Sequence, residues 1–570
     1  MEKEPTTQRS FVSAALITAA CLCLIPALTP GSLRAEGVSL PVLKTTLPAS
    51  WDEVWYSSPV VWDLDGDGAN EIIAARHGVL YVWNAAGEHV WRAATGQNGT
   101  LDEVHGSDRQ YAGPVVGDLD GKGKGEIAIG FGNKVAVYDH LGKLMAGWPQ
   151  TFPGPAGEIR AIAAADLDND GQMEIVVAKS GLGPTTMAYT LAGAPVPGWP
   201  QSKGCEKCND HGGLNQNLGI ADLDGDGKPE IVVSYDSSHI GIMHADGKPF
   251  AADTSFAAAG PWASSVPMFH DLALAQQGTG ADSSDRDDFS HSPPVFADVD
   301  GDGKSEVILH SIHRKSGDTA NYGNCLWVVH PDMTRAKGFE KPLCADAPIF
   351  TGSYNKILET APVPALANLT GDARPEIVVP SNDGTIRGFS PDGVQLWKYK
   401  YDGLGEPWVQ ASEVVIGDLN QDGVPEIVFT TYSVDNFVSH ITILDNNGRM
   451  QRKASLDKRG SMTAPTLADV DGDGKLDIVL SLKNVVGVGM GGVQVWTVAS
   501  AGDNKPAWPT GRGGYLRTGR MSGTEIPTHF LRPVVRPMRS GRMGPWFDLL
   551  GVRAVAADKV RPRLLFTPAP

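Results

Sequence analysis

Helical periodicity is almost missing from this chain, and so are long apolar runs and any stripe of positive charge through its middle. Without apolar residues at helical spacing, helix bundles and sheets with crossover helices are disfavoured. After the first 35 residues no stretch is long and apolar enough to be a membrane span. A net charge of −18 with no basic stripe argues against nucleic acid as a ligand. The nucleophile elbow, the P-loop, the His-Glu-x-x-His pair and the dinucleotide fingerprint are all absent, so no common catalytic signature marks an enzyme.

Cysteines number six in 570 residues, and two of them, Cys21 and Cys23, lie in the first segment. Residues 1–35 read as a secretory signal. Lys3 and Arg9 precede an apolar run from Phe11 to Leu28, Pro30 and Gly31 break the helix, and Leu33-Arg34-Ala35 offers a cleavage point. Thr18 stands where a lipoprotein signal before Cys21 would need an aliphatic residue, so export without lipid is expected. The four remaining cysteines are even in number, which in an exported chain favours disulfides. Closing the loop from Cys325 to Cys344 would stabilise by roughly 3 kcal/mol. Cys205 and Cys208 suit a tight local disulfide, half of a zinc site or a redox pair. The last 50 residues are basic and rich in Pro and Gly, and 521–570 is expected to be a disordered tail.

What the chain has in abundance is one acidic string, close to Asp-Leu-Asp-Gly-Asp-Gly-x-x-Glu-Ile. Its copies begin at Asp63, Asp118, Asp166, Asp222, Asp298, Asn368, Asp418 and Asp469. These eight stretches hold 28 of the 66 acidic side chains. Most steps between copies are about 50 residues, the size of one four-stranded propeller blade. Steps of 76 and 70 residues mark insertions near 251–290 and 311–350.

Each copy sits between short β-rich runs, as in Ser58-Pro59-Val60-Val61 before the first and Ile231-Val232-Val233 after the fourth. A third run, such as Leu80-Tyr81-Val82-Trp83, leads to a Gly turn, and Asp246-Gly247 and Asn447-Gly448 are strong hairpin signals. A fourth strand is expected to close on Trp91, Trp148, Trp199, Trp397 or Trp508. The fold class expected over residues 38–520 is therefore all-β, a β-propeller of four-stranded blades. Eight blades are expected, with seven as the alternative because the Asn368 copy is degenerate. Val38 to Trp51 is placed to supply the strand that closes the ring.

The string suits calcium, which takes six to eight oxygen ligands at about 2.3–2.6 Å. Carboxylates at positions 1, 3, 5 and 9 and a carbonyl at position 7 supply them, and Gly at position 6 permits the bend. Without a cation, so many carboxylates in one turn would repel. An EF-hand is excluded, because position 12 is Ala74, Val177, Val233 or Leu480 rather than Glu.

These residues carry a family resemblance. Asp-x-Asp-x-Asp-Gly-x-x-[Asp/Glu] between strands, repeated around a propeller, resembles the FG-GAP/VCBS repeats of bacterial exported proteins, and the integrin α-subunit propeller carries related loops. The resemblance spans about residues 55–520 and implies about six calcium ions. Carried over by position, the ligands are Asp63, Asp65, Asp67 and Glu71 in the first loop, and Asp166, Asp168, Asp170 and Glu174 in the third. The fourth offers Asp222, Asp224, Asp226 and Glu230; the fifth, Asp298, Asp300, Asp302 and Glu306. The seventh offers Asp418, Asn420, Asp422 and Glu426; the eighth, Asp469, Asp471, Asp473 and Asp477. In the second loop Lys122 replaces the position-5 acid and its ammonium is expected to stand in for the ion. The sixth keeps only Asp372 and Glu376 as carboxylates, so neither loop is expected to bind calcium.

The function expected is a monomeric binding or adhesion module for a protein or carbohydrate ligand, with calcium mainly structural. The alternatives are a polysaccharide-active lyase or hydrolase and a quinoprotein-like redox propeller. The last rests on segments such as Val82-Trp83-Asn84-Ala85-Ala86-Gly87, which are similar to a tryptophan-docking repeat. Five histidines cluster near the insertions: His270, His291, His310, His313 and His330. A site from His270, Asp271 and His291 is one reading, and surface histidines the other. His310 and His313, three apart on a strand, should face opposite sides.

Overall fold

The computed structural model describes residues 37–521, apart from 50–55, 77, 102–109, 202–211, 214–215, 236–237, 279–284, 290, 316–322, 346–362, 402–408, 434–438, 458, 484–490 and 499–505. The proposed signal, Cys205, Cys208 and the tail from 522 onward lie outside the described residues.

Eight antiparallel sheets form eight blades, one for each acidic string. In the first blade, Val60–Trp62, Glu71–Arg76, Val79–Asn84 and His89–Ala94 pair in sequence order. The strand after each string is aliphatic and buried along its length, as in Glu174–Lys179 and Asp477–Leu482. Both faces of that strand pack on neighbouring blades, which is why it lacks the polar alternation of a one-sided sheet. Short first strands such as Val60–Trp62 and Val115–Gly117 contact their counterparts in adjacent blades and form the inner ring.

Tryptophans join successive blades. The indole of Trp91 donates to the His140 carbonyl at 3.1 Å, Trp148 to Leu191 at 2.8 Å and Trp199 to Ala245 at 2.9 Å. The Trp91 and Trp397 rings cover the turns at Gly142 and Gly448, where an added Cβ would lie 2.6 and 2.3 Å from the ring. Both glycines also hold positive φ, 74° and 71°. The expected closure is observed, since Val42–Ala49 pairs antiparallel with Gly491–Thr497 and completes the eighth blade. Cys325 and Cys344 form a disulfide within the fifth blade.

Trp508 departs from expectation, because it lies on no outer strand. Residues 506–521 instead run around the inside of the inner ring. Trp508 exchanges both backbone hydrogen bonds with Ile416 of the seventh blade, and the Pro509 carbonyl accepts from Leu467 of the eighth. Tyr515, Leu516, Thr518 and Gly519 then accept from Val116, Ala164, Ile220 and Phe296 of the second to fifth blades. Arg512 donates to the carbonyls of Leu218 and Pro294, and Arg517 to those of Pro114 and Ser58. Buried Glu413 accepts from the Arg512 amide at 2.7 Å and the Trp508 indole at 3.1 Å. The axis is thus filled by a charged, hydrogen-bonded core.

Candidate functional site

All eight strings lie between the first and second strands of their blades, so they share one face. The carbonyls held by Arg512 and Arg517 lie at or before the starts of the inner strands, at the opposite end from these loops. Adjacent loops are tied together. Gly125 donates to the Leu64 carbonyl at 2.8 Å, Met173 to Leu119 at 3.0 Å and the Asn169 side chain to Gly227 at 3.1 Å. Asn70 reaches the Asp469 carbonyl at 2.8 Å, joining the first loop to the eighth.

Within each loop the backbone presets the carboxylates. The position-9 acid folds back to accept the position-2 amide: Glu71 from Leu64 at 2.9 Å, Glu174 from Leu167, Glu230 from Leu223, Glu306 from Val299 and Glu426 from Leu419, each at 2.8 Å. Asp477 and Val470 make the same contact at 3.4 Å. One oxygen of the position-1 Asp accepts the position-6 Gly amide, as in Gly68 to Asp63 and Gly303 to Asp298, both 2.9 Å. Asp residues at positions 3 and 5 accept amides two residues on, as in Asp67 to Asp65 at 3.1 Å and Ala69 to Asp67 at 2.8 Å. Carboxylate oxygens nonetheless converge: one each from Asp63, Asp65 and Glu71 lie within 4.8 Å of one another.

This convergence is electrostatically costly. Burial pushes Glu71, Glu174 and Glu230 up to about 7 and Glu426 up to about 8, and the neighbouring aspartates add to the rise. Asp477 is raised by burial as well. In the fifth loop the buried Oε1 of Glu306 accepts no amide and has only the His330 ring beside it, 3.3 Å away. A hard cation with oxygen ligands fits such a donor set.

The two divergent loops differ as their residues require. The Lys122 ammonium is 2.6 Å from Asp120 in the second. In the sixth, the Asn368 amide bonds the Asp372 carbonyl, and the Gly371 amide donates to Asn368 at 2.7 Å. Three further contacts come from side chains outside the acidic strings. Lys44, on the closing strand, reaches Asp471 of the eighth loop at 2.5 Å. His244 lies 3.0 Å from Glu230 and His330 lies 3.3 Å from Glu306. Each histidine stands at the end of, or directly after, the third strand of its blade, as Asn84, Asp139 and Asp445 do elsewhere, so the spacing of the repeats marks the position.

Of the histidines near the insertions, His270 and His313 are not ordinary surface residues. His270 and His313 meet at fully buried Asp287, which no spacing in the sequence links to them. Asp271 instead caps the helix Leu272–Gln277, accepting from Ala273 and Leu274. His310 is buried, consistent with facing away from His313.

The family comparison agrees with this architecture. The family described as FG-GAP-like repeat matches residues 118–177 and 418–480, in the second to third and seventh to eighth repeats. No curated protein sequence matches the chain. Among solved structures, it is similar to the quinohemoprotein alcohol dehydrogenase from Comamonas testosteroni, at 12% identity and TM-score 0.48 over 82% of this chain and 78% of that one. The V. cholerae biofilm matrix protein Bap1 matches at 15% identity and TM-score 0.37, over 86% of this chain and 96% of that one. The Bacillus licheniformis rhamnogalacturonan lyase PL11 matches at 14% identity and TM-score 0.42, over 80% and 75%. With its repeats on eight blades, the chain is an FG-GAP repeat propeller protein.

Proposed function

We propose that the chain is an exported calcium-binding propeller that serves as a scaffold for holding a protein or glycan. The observation that carries this reading is the ring of preset carboxylates on one face. In six loops the residues fit a calcium ion, which in the eighth would displace the Lys44 ammonium from Asp471. Those loops are the first, third, fourth, fifth, seventh and eighth, with the ligands named above from Asp63 to Asp477. Bound calcium would supply the positive charge that lets these carboxylates ionise together, and would pin the loops to one another through their shared contacts. Lys122 and Asn368 exclude the ion from the second and sixth.

Extracellular calcium modules bind at about 10⁻⁴–10⁻³ M. At about 1 mM calcium, each site then stabilises by roughly 0.4–1.4 kcal/mol. Six sites together rival the margin of a whole domain. The role of the ions is therefore mainly structural. Filling of the axis by residues 506–521 supports a ligand held on the outer faces or the insertions rather than along the axis. A glycan array and a pull-down against surface proteins, each with calcium and with EDTA, test the binding role; retention of neither class would overturn it.

A further inference from the structure

The fifth blade carries a second cluster that owes nothing to the acidic loops. Its long strand Glu306–Lys315 begins at the fifth loop and ends near His313, about 23 Å away at the usual rise of an extended strand. His313 therefore sits toward the face opposite the loops. An added strand, Asp285–Asp288, pairs there with Asp287 directly across from His313. His270 arrives from a third segment, just before the helix Leu272–Gln277, and the Phe269 carbonyl beside it accepts from Arg335 at 3.0 Å.

Three ligand-type atoms meet at this point. Nε2 of His270 and Nδ1 of His313 are each 2.8 Å from Oδ1 of Asp287 and 3.1 Å from each other. The other carboxylate oxygen, Oδ2, is held by the Ser311 hydroxyl and by the Trp327 indole at 2.5 Å. Thus Asp287 is oriented from behind, and its free oxygen faces both imidazoles. Such support behind a ligand is what metal sites use to hold their ligating atoms in place.

Hydrogen bonding alone can satisfy this triangle only by crowding both rings onto one oxygen. One proton can satisfy only one of its three edges, and then a ring nitrogen lone pair faces Oδ1 at 2.8 Å. Two protons would place two N–H groups 3.1 Å apart, both aimed at one oxygen. A divalent ion removes the conflict. Ligand atoms at about 2.1 Å from an ion are about 3.0 Å apart in octahedral and about 3.4 Å apart in tetrahedral geometry, and the edges seen lie near the octahedral value, so a bound ion would open the triangle slightly to become tetrahedral. Two imidazoles and one carboxylate are the donors of zinc-type and related transition metals rather than of calcium.

We propose that His270, Asp287 and His313 form a site for one divalent transition-metal ion of the zinc type, on the face opposite the acidic loops. Both histidines are partly exposed, at 18% and 17%, so an ion can reach the site and keep water in its open positions. Cys325, although nearby, is committed to its disulfide and is not a ligand. Arg335 brings a positive charge, but it is drawn over the Trp327 ring, 4.2 Å from its centroid. The proposal is independent of the calcium reading and survives its failure.

The test is a calorimetric zinc titration of the chelator-stripped full chain, with calcium in excess so that the acidic loops are occupied. The expected result is one zinc per chain, with His270→Gln and His313→Gln each weakening binding by more than about 100-fold, beyond the usual effect of an outer-shell change. Circular dichroism verifies that each variant folds. X-ray absorption of the unmodified zinc-loaded protein supplies a readout that needs no variant, and should show scattering from two imidazoles. No zinc binding, equal binding in both variants, or a shell of sulfur or of oxygen alone would overturn the site.

Discussion

Single residues in this propeller matter most where charge is buried. Arg512 and Arg517 are almost fully enclosed, and burial lowers both to about 10 while Glu413 draws them back up. Burial likewise lifts Glu413 to about 7, against the pull of Arg512. Removing one partner strands the others without solvent. Arg512→Ala should therefore destabilise the protein by about 3–5 kcal/mol, read as a shift in the urea midpoint. A loss below about 1 kcal/mol would show that the axial contacts contribute little. Lys122 offers the opposite experiment, since its loop keeps Asp118, Asp120 and Glu126 and lacks only the position-5 acid. Lys122→Asp should add one calcium to the calorimetric stoichiometry; an unchanged count would refute the idea that the ammonium replaces the ion.

At the scale of the loop, the raised glutamates set a pH dependence. Without calcium, Glu71, Glu174, Glu230 and Glu426 hold protons up to about 7 or 8 in the folded state. In the unfolded chain they lose them near about 4.3. Between those values the folded state binds more protons than the unfolded one, so stability falls as pH rises. The calcium-free melting temperature should drop from about pH 5 to about pH 8, and saturating calcium should flatten that slope. A melting temperature that rises over this range without calcium would contradict the account. The loops were legible because spacing within ten residues dictates their chemistry. Even so, the side chains that enter from elsewhere, Lys44, His244 and His330, were not, since only the blade geometry brings them there.

For the whole molecule, the ring closes twice. Val42–Ala49 completes the eighth blade, and residues 506–521 bind the inner strands from within. A chain ending at 505 should melt well below the full protein, whereas one ending at 521 should match it. Equal melting of the two would show that the axial segment is dispensable. The period and the closing strand could be read from the sequence because they follow from repetition. The axial segment could not, because its contacts join residues as far apart as Arg517 and Ser58, 459 positions along the chain. Asp287 was equally hidden, in a run of acids with no periodicity to single it out. Trp508 was misread for a related reason, since it follows the pattern of the blade tryptophans but occurs where no blade is left to receive it.

The central claim is that the acidic face is a ring of calcium sites that stabilise the fold, and a calcium titration followed by both calorimetry and thermal melting tests it most directly. About six ions per chain, with a melting temperature that rises with calcium and falls again with EDTA, is the predicted result. Absence of binding, or binding with no change in melting temperature, would contradict it.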